Sequence, residues 1–520
     1  MTEDKGHVLW VDDEIELLRP HIIFLQEKGY QVTPLTNAED AIELVKKQTF
    51  DLILLDEMMN GMDGLTALGE LKTLAPGTPV IMITKSEEEQ LMEDAIGNKI
   101  DDYLTKPVNP SQILLVCKKK LEKNKITGER ISRDYAVEFN QIARQLLSPM
   151  DWRDWIDIHS RLSEWDVELD SHPDLGLQQT LQDQKRACNI EFARFVERNY
   201  VEWIHSSDRP KMSVDVIPQA VLPGVREGIN TVLIIIDNLR LDHWMVVEPL
   251  LHNYFRISRD YQFSILPTAT PYSRNALFSG LFPDAIEKSI PDLYLEGTEN
   301  DDFSRNRHEH QLLDNQLERL RVGLKSNTKY AKILDLQEAR AVSKRISEFA
   351  SVPLSAIVIN FVDILAHSRS SSNLIKEMIP NEAAFRSMTK SWFEHSHIYE
   401  ALRELSDSGA RVIITSDHGS IRGLRGAKVI GDRETTTSLR YKYGRNIKAD
   451  SKHAMLIKDP STYHLPARGI NSNYLIAKED YYFVYPTNYH YYLNYYADSF
   501  QHGGISLEEM ILPLITLDSK

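Results

Sequence analysis

Three apolar segments in the C-terminal half of the chain each end in an aspartate. TVLIIID ends at Asp237, AIVINFVD at Asp363 and RVIITSD at Asp417. His367 lies four residues after Asp363, and His418 follows Asp417 directly. If these segments are strands of one parallel sheet, their carboxyl ends meet at one edge and these side chains converge there. A mixed carboxylate and imidazole set suits Zn²⁺, and also Mn²⁺.

Two further residues complete a candidate hydrolytic site. His502, in the segment QHGG before the last apolar run, is another potential metal ligand. Thr270 precedes Pro271, a pair that predicts a helix start with Thr270 as the N-cap residue. The positive end of a helix stabilises alkoxide and phosphate charge, and a metal would complete the activation of the hydroxyl as a nucleophile. Each signal is weak alone, but together they predict a two-metal hydrolase.

A second acidic cluster is predicted near the N-terminus. Asp12 and Asp13 follow the first apolar segment, Asp56 the third, Thr84 the fourth and Lys106 the fifth. Three carboxylates in one crevice repel one another unless a hard cation such as Mg²⁺ joins them. We expect Lys106 to pair with Asp56 or with a phosphate group bound to it.

The elements that position these residues differ along the chain. Residues 7–106 alternate apolar runs with helical patterns, which predicts a parallel sheet with helices on both faces. Four helices are expected in this region, at 17–28, 38–48, 64–74 and 86–97. From 111 to about 209 strand signals are almost absent, and apolar spacings of three and four predict a small helical bundle. Its tryptophans are expected to pack in the core more often than to form a partner surface.

Composition excludes several classes of protein. The 520 residues are 42% hydrophobic and 26% charged, as in soluble globular proteins, and the length predicts about three or four domains. A net charge of −16 disfavours a general nucleic-acid coating protein. The two cysteines cannot supply a disulfide framework or a thiolate zinc site. The N-terminus lacks a signal-peptide pattern and no long apolar run occurs, so we expect a cytoplasmic protein without membrane insertion.

Two segments could select a substrate. The segment from Arg422 to Lys452 contains nine Lys or Arg residues and only three acidic residues. This excess of positive charge fits either a rim that attracts the phosphate of a nucleotide or short oligonucleotide, or a solvated loop. Residues 481–496 contain eight tyrosines. Bases could stack on them, although packed aromatics at a β-edge are favoured.

The N-terminal motifs VDDE, LLDEMM, GMDG, ITK and LTKP are similar, in this order, to those of the receiver domain of response regulators over residues 5–123. The resemblance implies that Asp56 accepts a phosphoryl group from a sensor histidine kinase. It also implies that Asp12 and Asp13 help to hold Mg²⁺, and that Thr84 and Tyr103, together with the lysine of LTKP, form the switch.

Residues 228–520 resemble the alkaline phosphatase superfamily. PTATPYSRNALFSGLFP is similar to the nucleophile segment of nucleotide pyrophosphatase/phosphodiesterases, which implies that Thr270, rather than Thr268 or Ser273, is the nucleophile. Ser273 stands where those enzymes have a substrate-binding asparagine, so Arg274 and Asn275 become candidates for substrate binding. The resemblance implies two zinc ions. One is held by Asp237, Thr270, Asp417 and His418, and the other by Asp363, His367 and His502.

Within that superfamily the chain is most similar to PglZ-type domains, and its pairing with a receiver resembles the response regulators of type IX secretion. The expected fold is multidomain α/β. It comprises a flavodoxin-like receiver (1–123), a helical bundle linker (124–215) and an alkaline-phosphatase-like effector (216–520).

The leading hypothesis is a response regulator with a zinc phosphodiesterase effector for nucleotide or oligonucleotide phosphodiesters; monoesters remain open. Implied partners are a sensor kinase, a sigma factor, secretion-machinery proteins and a second copy of the chain after phosphorylation. The alternative is a phospho-regulated scaffold with structural zinc. No helix-turn-helix with a basic recognition helix is visible, which disfavours a DNA-binding regulator.

Overall fold

Two units make up the chain, Met1–Ala136 and Val137–Lys520. A computed structural model describes residues 5–85, 100–294, 306–431, 438–467 and 472–520. The helix expected near 86–97 lies outside the described residues. No helix in the described ranges is both long and apolar enough to span a membrane.

The first unit contains a parallel sheet covered on both faces. Its elements are β1 (His7–Val11), α1 (Arg19–Glu27), β2 (Gln31–Leu35), α2 (Ala38–Val45), β3 (Leu52–Asp56), α3 (Gly64–Leu74), β4 (Val80–Thr84), β5 (Asp102–Thr105) and α4 (Pro110–Cys117). The strands pair in the order β2-β1-β3-β4-β5, which is the flavodoxin-like order and confirms the predicted fold. Val8 and Trp10 pack in one apolar cluster, and Leu9 and Val11 pack in another. The strands β1, β3 and β4 are therefore almost continuously apolar, because each face carries its own core.

Three helices follow, as the apolar spacing predicted. They are α5 (Lys123–Gln145), α6 (Trp152–Asp170) and α7 (Gln178–His205). Trp155 and Trp203 are buried, and Phe192 and Trp203 contact Phe263 of a strand in the large sheet of the second unit. The predicted core role of these two tryptophans is confirmed, and α6 and α7 share the core of the second unit.

The second unit is built on a six-stranded sheet. Its strands and helices, in chain order, are α8 (Leu222–Arg226), β6 (Thr231–Ile236), α9 (Leu241–Val247), β7 (Phe255–Phe263), α10 (Thr270–Ser279), α11 (Pro283–Ser289), α12 (Glu309–Arg319), β8 (Lys329–Ile333), α13 (Leu336–Ser343), α14 (Ile346–Ala350), β9 (Leu354–Ile359), α15 (Phe361–Ser371), α16 (Asn373–Met378), α17 (Glu382–Glu394), α18 (His397–Asp407), β10 (Arg411–Thr415), β11 (Ile421–Gly423), β12 (Arg425–Lys428), β13 (Tyr441–Arg445), β14 (Ala454–Ile457), β15 (Ser472–Ala477), β16 (Tyr481–Val484), α19 (Tyr489–Tyr496), β17 (Ser499–Gln501), α20 (Leu507–Met510) and β18 (Ile511–Ser519).

The order of this sheet brings the predicted site together. The strands lie as β7-β18-β10-β6-β9-β8, and β10, β6, β9 and β8 are parallel. The three strands that precede the predicted aspartates are therefore neighbours, with Ile235 opposite Thr415 and Ile236 opposite Ile359. β18 and β7 close one side as antiparallel strands. Apolar clusters cover both faces, which accounts for the almost continuous apolar sequence of β6, β9 and β10.

Candidate functional site

The predicted acidic pocket of the first unit lies at the carboxyl ends of β1 and β3. Asp12, Asp13 and Asp56 each place one carboxylate oxygen within 4.8 Å of the other two. Lys106 Nζ lies 2.9 Å from Asp12 Oδ2 and 3.0 Å from Asp56 Oδ2. Burial raises the pKa of Asp56, and the nearby Asp12 raises it further, against the opposing hydrogen bond from Lys106. This donor set fits a hard cation such as Mg²⁺, whose charge would offset the repulsion among the carboxylates.

The predicted switch residues lie on the next two strands. Thr84 ends β4 and is 9% exposed, whereas Tyr103 on β5 is 41% exposed. A residue that the sequence analysis did not single out, Gly64, begins α3 against the end of β3. A Cβ atom added there would lie 2.2 Å from the carbonyl oxygen of Asp56. Glycine at this position therefore allows α3 to begin directly beside the acidic pocket.

The larger site forms at the ends of β6, β9 and β10. Asp237 directly follows β6, and Asp363 lies in the first turn of α15 after β9. Asp237, Asp363 and His418 each place one ligand atom within 4.8 Å of the other two. Asp417 is adjacent, because its Oδ2 lies 3.8 Å from His418 Nε2. The structure thus brings together residues that are as many as 181 positions apart in the sequence (418 − 237).

The second predicted ligand group is also assembled. Asp363, His367 and His502 place their ligand atoms within 4.8 Å of one another, so Asp363 takes part in both groups. His367 Nε2 lies 3.2 Å from His502 Nε2, and the ring of His502 stacks on that of His418 at 4.0 Å. The side chain of His367 is 48% exposed and that of Asp363 is 15% exposed. The site is therefore open to solvent on the side of His367.

Thr270 occupies a different helical position from the predicted one. The N-cap residue of α10 is Ala269, in an extended conformation, and Thr270 is the first helical residue with Pro271 after it. The hydroxyl of Thr270 therefore does not cap the helix. Thr270 Oγ1 instead lies 2.9 Å from His418 Nε2, inside the cluster of predicted ligands.

Burial and charge produce opposite pKa shifts within this cluster. Burial raises the pKa of Asp237 well above its ordinary value, and the neighbouring Asp417 and Asp363 raise it further, against the attraction of Arg274. Burial also acts to raise the pKa of Asp363, but the three surrounding histidines outweigh it and the pKa is lowered. The pKa of His502 lies well below its usual value, mainly because of burial. Neutral imidazole is the form that binds a metal.

The residues present fit a pair of zinc ions. Asp237 Oδ1, Asp417 Oδ1 and His502 Nδ1 are buried and have no hydrogen-bond partner within the described part of the chain. Such atoms carry a desolvation cost that a cation would offset at the carboxylates. His418 Nδ1 lies 3.1 Å from the carbonyl oxygen of Gly419, so that nitrogen donates and Nε2 presents its lone pair. Carboxylate and imidazole donors are the zinc ligands available here.

The placement of Arg274 and Asn275 corrects their expected role in substrate binding. Arg274 is 0% exposed, and its guanidinium contacts Asp237 and Asp417. Asn275 is buried in α10 and donates to the carbonyl oxygen of Pro271 at 3.1 Å. Arg274 lies one helical turn after Thr270 on the same face of α10, where the two aspartates already occupy its guanidinium, whereas the amide of Asn275 is used within the helix.

Two asparagines beside the site were missed by the sequence analysis. Asn238 has a positive φ of 63° and donates to Asp363 Oδ1 at 3.3 Å. Asn360 donates to Asp237 Oδ2 at 3.0 Å. Asn360 directly follows β9 and lies three residues before Asp363, and Asn238 directly follows Asp237 after β6. This closeness to a strand end and to a predicted ligand is the signal that could have identified them.

The basic segment between Arg422 and Lys452 is partly neutralised in the structure. Arg422 pairs with Asp498, Arg425 with Glu479 and Asp480, and the fully buried Arg440 with Glu509. Lys442 is buried, and burial lowers its pKa to about 7. Arg433 lies outside the described residues. The exposed described cations of this segment are Lys428, Arg445, Lys448 and Lys452. These pairings weaken the interpretation of the segment as a continuous rim that attracts phosphate.

The tyrosine-rich segment is only partly a packed strand. Tyr481 and Tyr482 belong to β16, but residues 489–496 form α19, whose residues are not fully buried. Tyr491 is 63% exposed and Tyr495 is 52% exposed, and their rings stack with centroids 6.0 Å apart. The favoured expectation of β-edge packing is therefore wrong for α19, because its aromatic side chains follow a helical repeat and face solvent.

Comparison with known families divides the chain into three stretches. Residues 8–118 match the response regulator receiver domain, and residues 125–204 match the PorX response regulator linker domain. Residues 216–517 match the BREX system PglZ alkaline phosphatase-like domain.

Curated relatives resemble part of the chain. The alginate biosynthesis transcriptional regulatory protein AlgB of Pseudomonas syringae pv. tomato is 35% identical over 127 residues, which is 24% of this chain and 28% of AlgB. The transcriptional regulatory protein ZraR of Klebsiella oxytoca is 29% identical over 142 residues, which is 27% of this chain and 32% of ZraR. The chain thus spans less than a third of the length of these relatives. A CheY-like receiver domain from Methanospirillum hungatei is 29% identical, with 22% of this chain and 94% of that chain covered and a TM-score of 0.22.

Proposed function

The chain belongs to the family of PglZ alkaline phosphatase-like domains, here joined to a receiver and a PorX-type linker, and we propose that its effector is a two-zinc phosphodiesterase for nucleotide or oligonucleotide phosphodiesters. Its receiver makes it a two-component regulator with a hydrolase-like effector, and implies a sensor kinase. One observation carries the proposal. The hydroxyl of Thr270 lies 2.9 Å from His418 Nε2, within a buried group of carboxylates and imidazoles.

The residues of this site have distinct roles in the proposed reaction. The oxygen of Thr270 bonds to phosphorus at the N-terminus of α10, where the helix dipole favours negative charge, as the bond from phosphorus to one ester oxygen breaks. The proton of the hydroxyl passes through water to the departing alcohol, and a second water then hydrolyses the phosphothreonine and restores the hydroxyl. The predicted carboxylate and imidazole ligands would hold zinc, which when bound would supply Lewis acidity to the attacking hydroxyl and to the phosphoryl oxygens. The carbonyl of Gly419 orients His418, and the half-exposed His367 marks the side on which substrate enters.

Hydrolysis by the full-length chain tests this function. We expect zinc-loaded wild type to cleave bis-p-nitrophenyl phosphate, and Thr270→Ala to lose at least about 10³-fold in kcat/KM, as removal of a nucleophile does. Parallel assays with p-nitrophenyl phosphate separate diester from monoester specificity.

Thr389→Ala is the matched control for this substitution. Thr389 is also buried, but its hydroxyl donates to the carbonyl oxygen of Phe385 within α17. Full activity of the Thr270→Ala protein would contradict the assignment. Zinc binding without turnover by the wild type would favour the scaffold alternative with structural zinc.

We further propose that phosphorylation of Asp56, with Mg²⁺ held by Asp12, Asp13 and Asp56, controls the effector through a monomer–dimer equilibrium. The acidic cluster and its contact with Lys106 support this step. We also propose a role in type IX secretion, with a sigma factor and secretion-machinery proteins as partners, for a chain whose residues 125–204 match the PorX response regulator linker domain.

A further inference from the structure

Arg274 is a buried cation beside the candidate zinc ligands. It lies in α10, four residues after Thr270, and none of its surface is exposed. A buried guanidinium is tolerated only when carboxylates and hydrogen bonds offset its desolvation. Arg274 has three such partners, and they come from three separate chain segments. They are Asp237, Asp417 and Glu309.

The guanidinium of Arg274 contacts only one of the two carboxylate oxygens of each aspartate. Arg274 contacts Oδ2 of Asp237, which also accepts a hydrogen bond from Asn360. Arg274 Nε lies 3.0 Å from Oδ2 of Asp417. In both aspartates it is Oδ1 that has no hydrogen-bond partner within the described part of the chain. Each carboxylate is therefore held by one oxygen. Oδ1 of Asp237 lies 3.5 Å from His418 Nε2 inside the predicted ligand cluster, whereas the oxygen of Asp417 that approaches His418 Nε2, at 3.8 Å, is Oδ2.

Glu309 anchors this arginine from the far side. Arg274 Nη1 lies 3.5 Å from Glu309 Oε1, and Glu309 is 1% exposed. The same carboxylate contacts the hydroxyl of Tyr330 and lies 3.2 Å from Lys332 Nζ, both on β8. Because Glu309 is held by a strand of the central sheet, Arg274 has a fixed anchor on that side.

We propose that Arg274 is a positioning residue that presents Oδ1 of Asp237 to the zinc site and fixes the carboxylate of Asp417 beside it, with Glu309 as its anchor. The inference rests on the proposed function only in treating the two aspartates as zinc ligands. Planar guanidinium nitrogens reach two carboxylates at once, whereas the single ammonium of lysine cannot reproduce this fork. Arg274 also shares α10 with Thr270, so one helix carries both the nucleophile and the residue that orients two ligands.

Zinc affinity of the full-length protein tests the positioning role without measuring hydrolysis. Chelator competition on wild type, Arg274→Lys and Arg274→Gln gives the affinity for each ion. We expect one ion to bind about 10- to 100-fold more weakly in both variants, as for other groups that orient metal ligands, while the second ion binds within about twofold of wild type. Visible absorption of the Co²⁺-substituted proteins should change for the weakened site alone, because its coordination geometry changes.

Arg386→Lys provides a matched control. Arg386 is 3% exposed and pairs with Asp170 and Asp242, but it contacts none of the predicted zinc ligands. This variant should lose stability and keep the affinity for both ions. Wild-type affinity for both ions in Arg274→Lys and Arg274→Gln would overturn the inference, as would an equal loss of zinc in Arg386→Lys.

Glu309→Gln keeps the test decisive if the Arg274 variants do not fold. This substitution removes the anchoring charge and leaves Arg274 in place, so we expect a smaller loss of affinity at the same ion. Unchanged affinity would refute the role of Glu309 as the anchor. A wild type that binds two zinc ions and cleaves no ester would defeat the proposed function while leaving the role of Arg274 intact.

Discussion

At the scale of single residues, buried arginines in the second unit form ion pairs with carboxylates. Arg240 pairs with Asp242 and Glu382, and Arg440 pairs with Glu509, all within the protein interior. A buried charge without such a partner would cost several kcal/mol. Asp237 and Asp417 follow this pattern through Arg274, and each keeps a second oxygen without a hydrogen-bond partner among the described residues.

Lys442 is a buried amine whose titration should be visible in stability. Its folded-state pKa of about 7 lies below that of an unfolded lysine. Between these two values the unfolded chain binds a proton that the folded chain does not, so this contribution to stability rises with pH. Below pH 7 both states are protonated and the full cost of burying the charge applies.

We expect Lys442→Met to raise the free energy of unfolding on the order of a few kcal/mol near pH 6, with a smaller gain near pH 9. Denaturant titrations of both proteins at the two pH values measure the difference. The exposed Lys452→Met should change stability little at either pH. A gain that is the same at both pH values would contradict the buried-amine explanation.

At the scale of elements, three neighbouring strands and the helices after them build the site. β6, β9 and β10 end at one edge, so ligands far apart in sequence become neighbours. α10 adds Thr270 from a separate segment. The helix α7 packs against β7 through aromatic contacts, and α6 packs on α7 through Trp155, so both helices contribute to the stability of the effector domain.

Phe192→Ala should destabilise the second unit as a whole. Phe192 of α7 is fully buried, with its ring centroid 5.3 Å from that of Trp155 and 6.4 Å from that of Phe263. Removal of such a ring typically costs about 3–5 kcal/mol. Urea unfolding followed by tryptophan fluorescence measures the loss, and Leu147→Ala at an 88% exposed position is the control. Loss of α7 helicity before the main transition would show that the helix is not part of the shared core.

At the scale of the whole molecule, each unit has its own acidic centre. The first contains three carboxylates and a lysine, which suits Mg²⁺ and phosphoryl transfer, and the second contains carboxylates and imidazoles, which suits zinc. The different donor chemistry of the two centres implies that each can be loaded and tested separately.

Asp56→Asn should abolish phosphorylation of the receiver and leave zinc binding unchanged. Wild type incubated with acetyl phosphate and Mg²⁺ should gain one acid-labile phosphoryl group by intact-mass measurement, because Asp56 is the carboxylate in contact with Lys106 at the end of β3. Asp134→Asn, on an exposed part of α5, is the control. Continued phosphorylation of the Asp56→Asn protein would place the acceptor elsewhere.

Many of the strands, helices and candidate site residues could be predicted from the sequence because the relevant signals are local. An apolar run followed by aspartate marked β6, β9 and β10 and their ligands, and the helical spacing marked α6 and α7. The motifs around Asp12, Asp56 and Lys106 located the receiver pocket in the same way. These patterns arise within a few residues of one another, where backbone preference and burial act directly.

Only the tertiary structure decided how the charged groups pair. The sequence alone predicted three available cations at Arg422, Arg425 and Arg440. In the structure each pairs with an acidic residue that is between 54 and 76 positions away. Arg274 likewise meets Asp417 across 143 positions and became an internal ion pair rather than a substrate contact. Sequence patterns reveal which residues are charged, but the partner of a charge depends on which distant segments the fold places beside it.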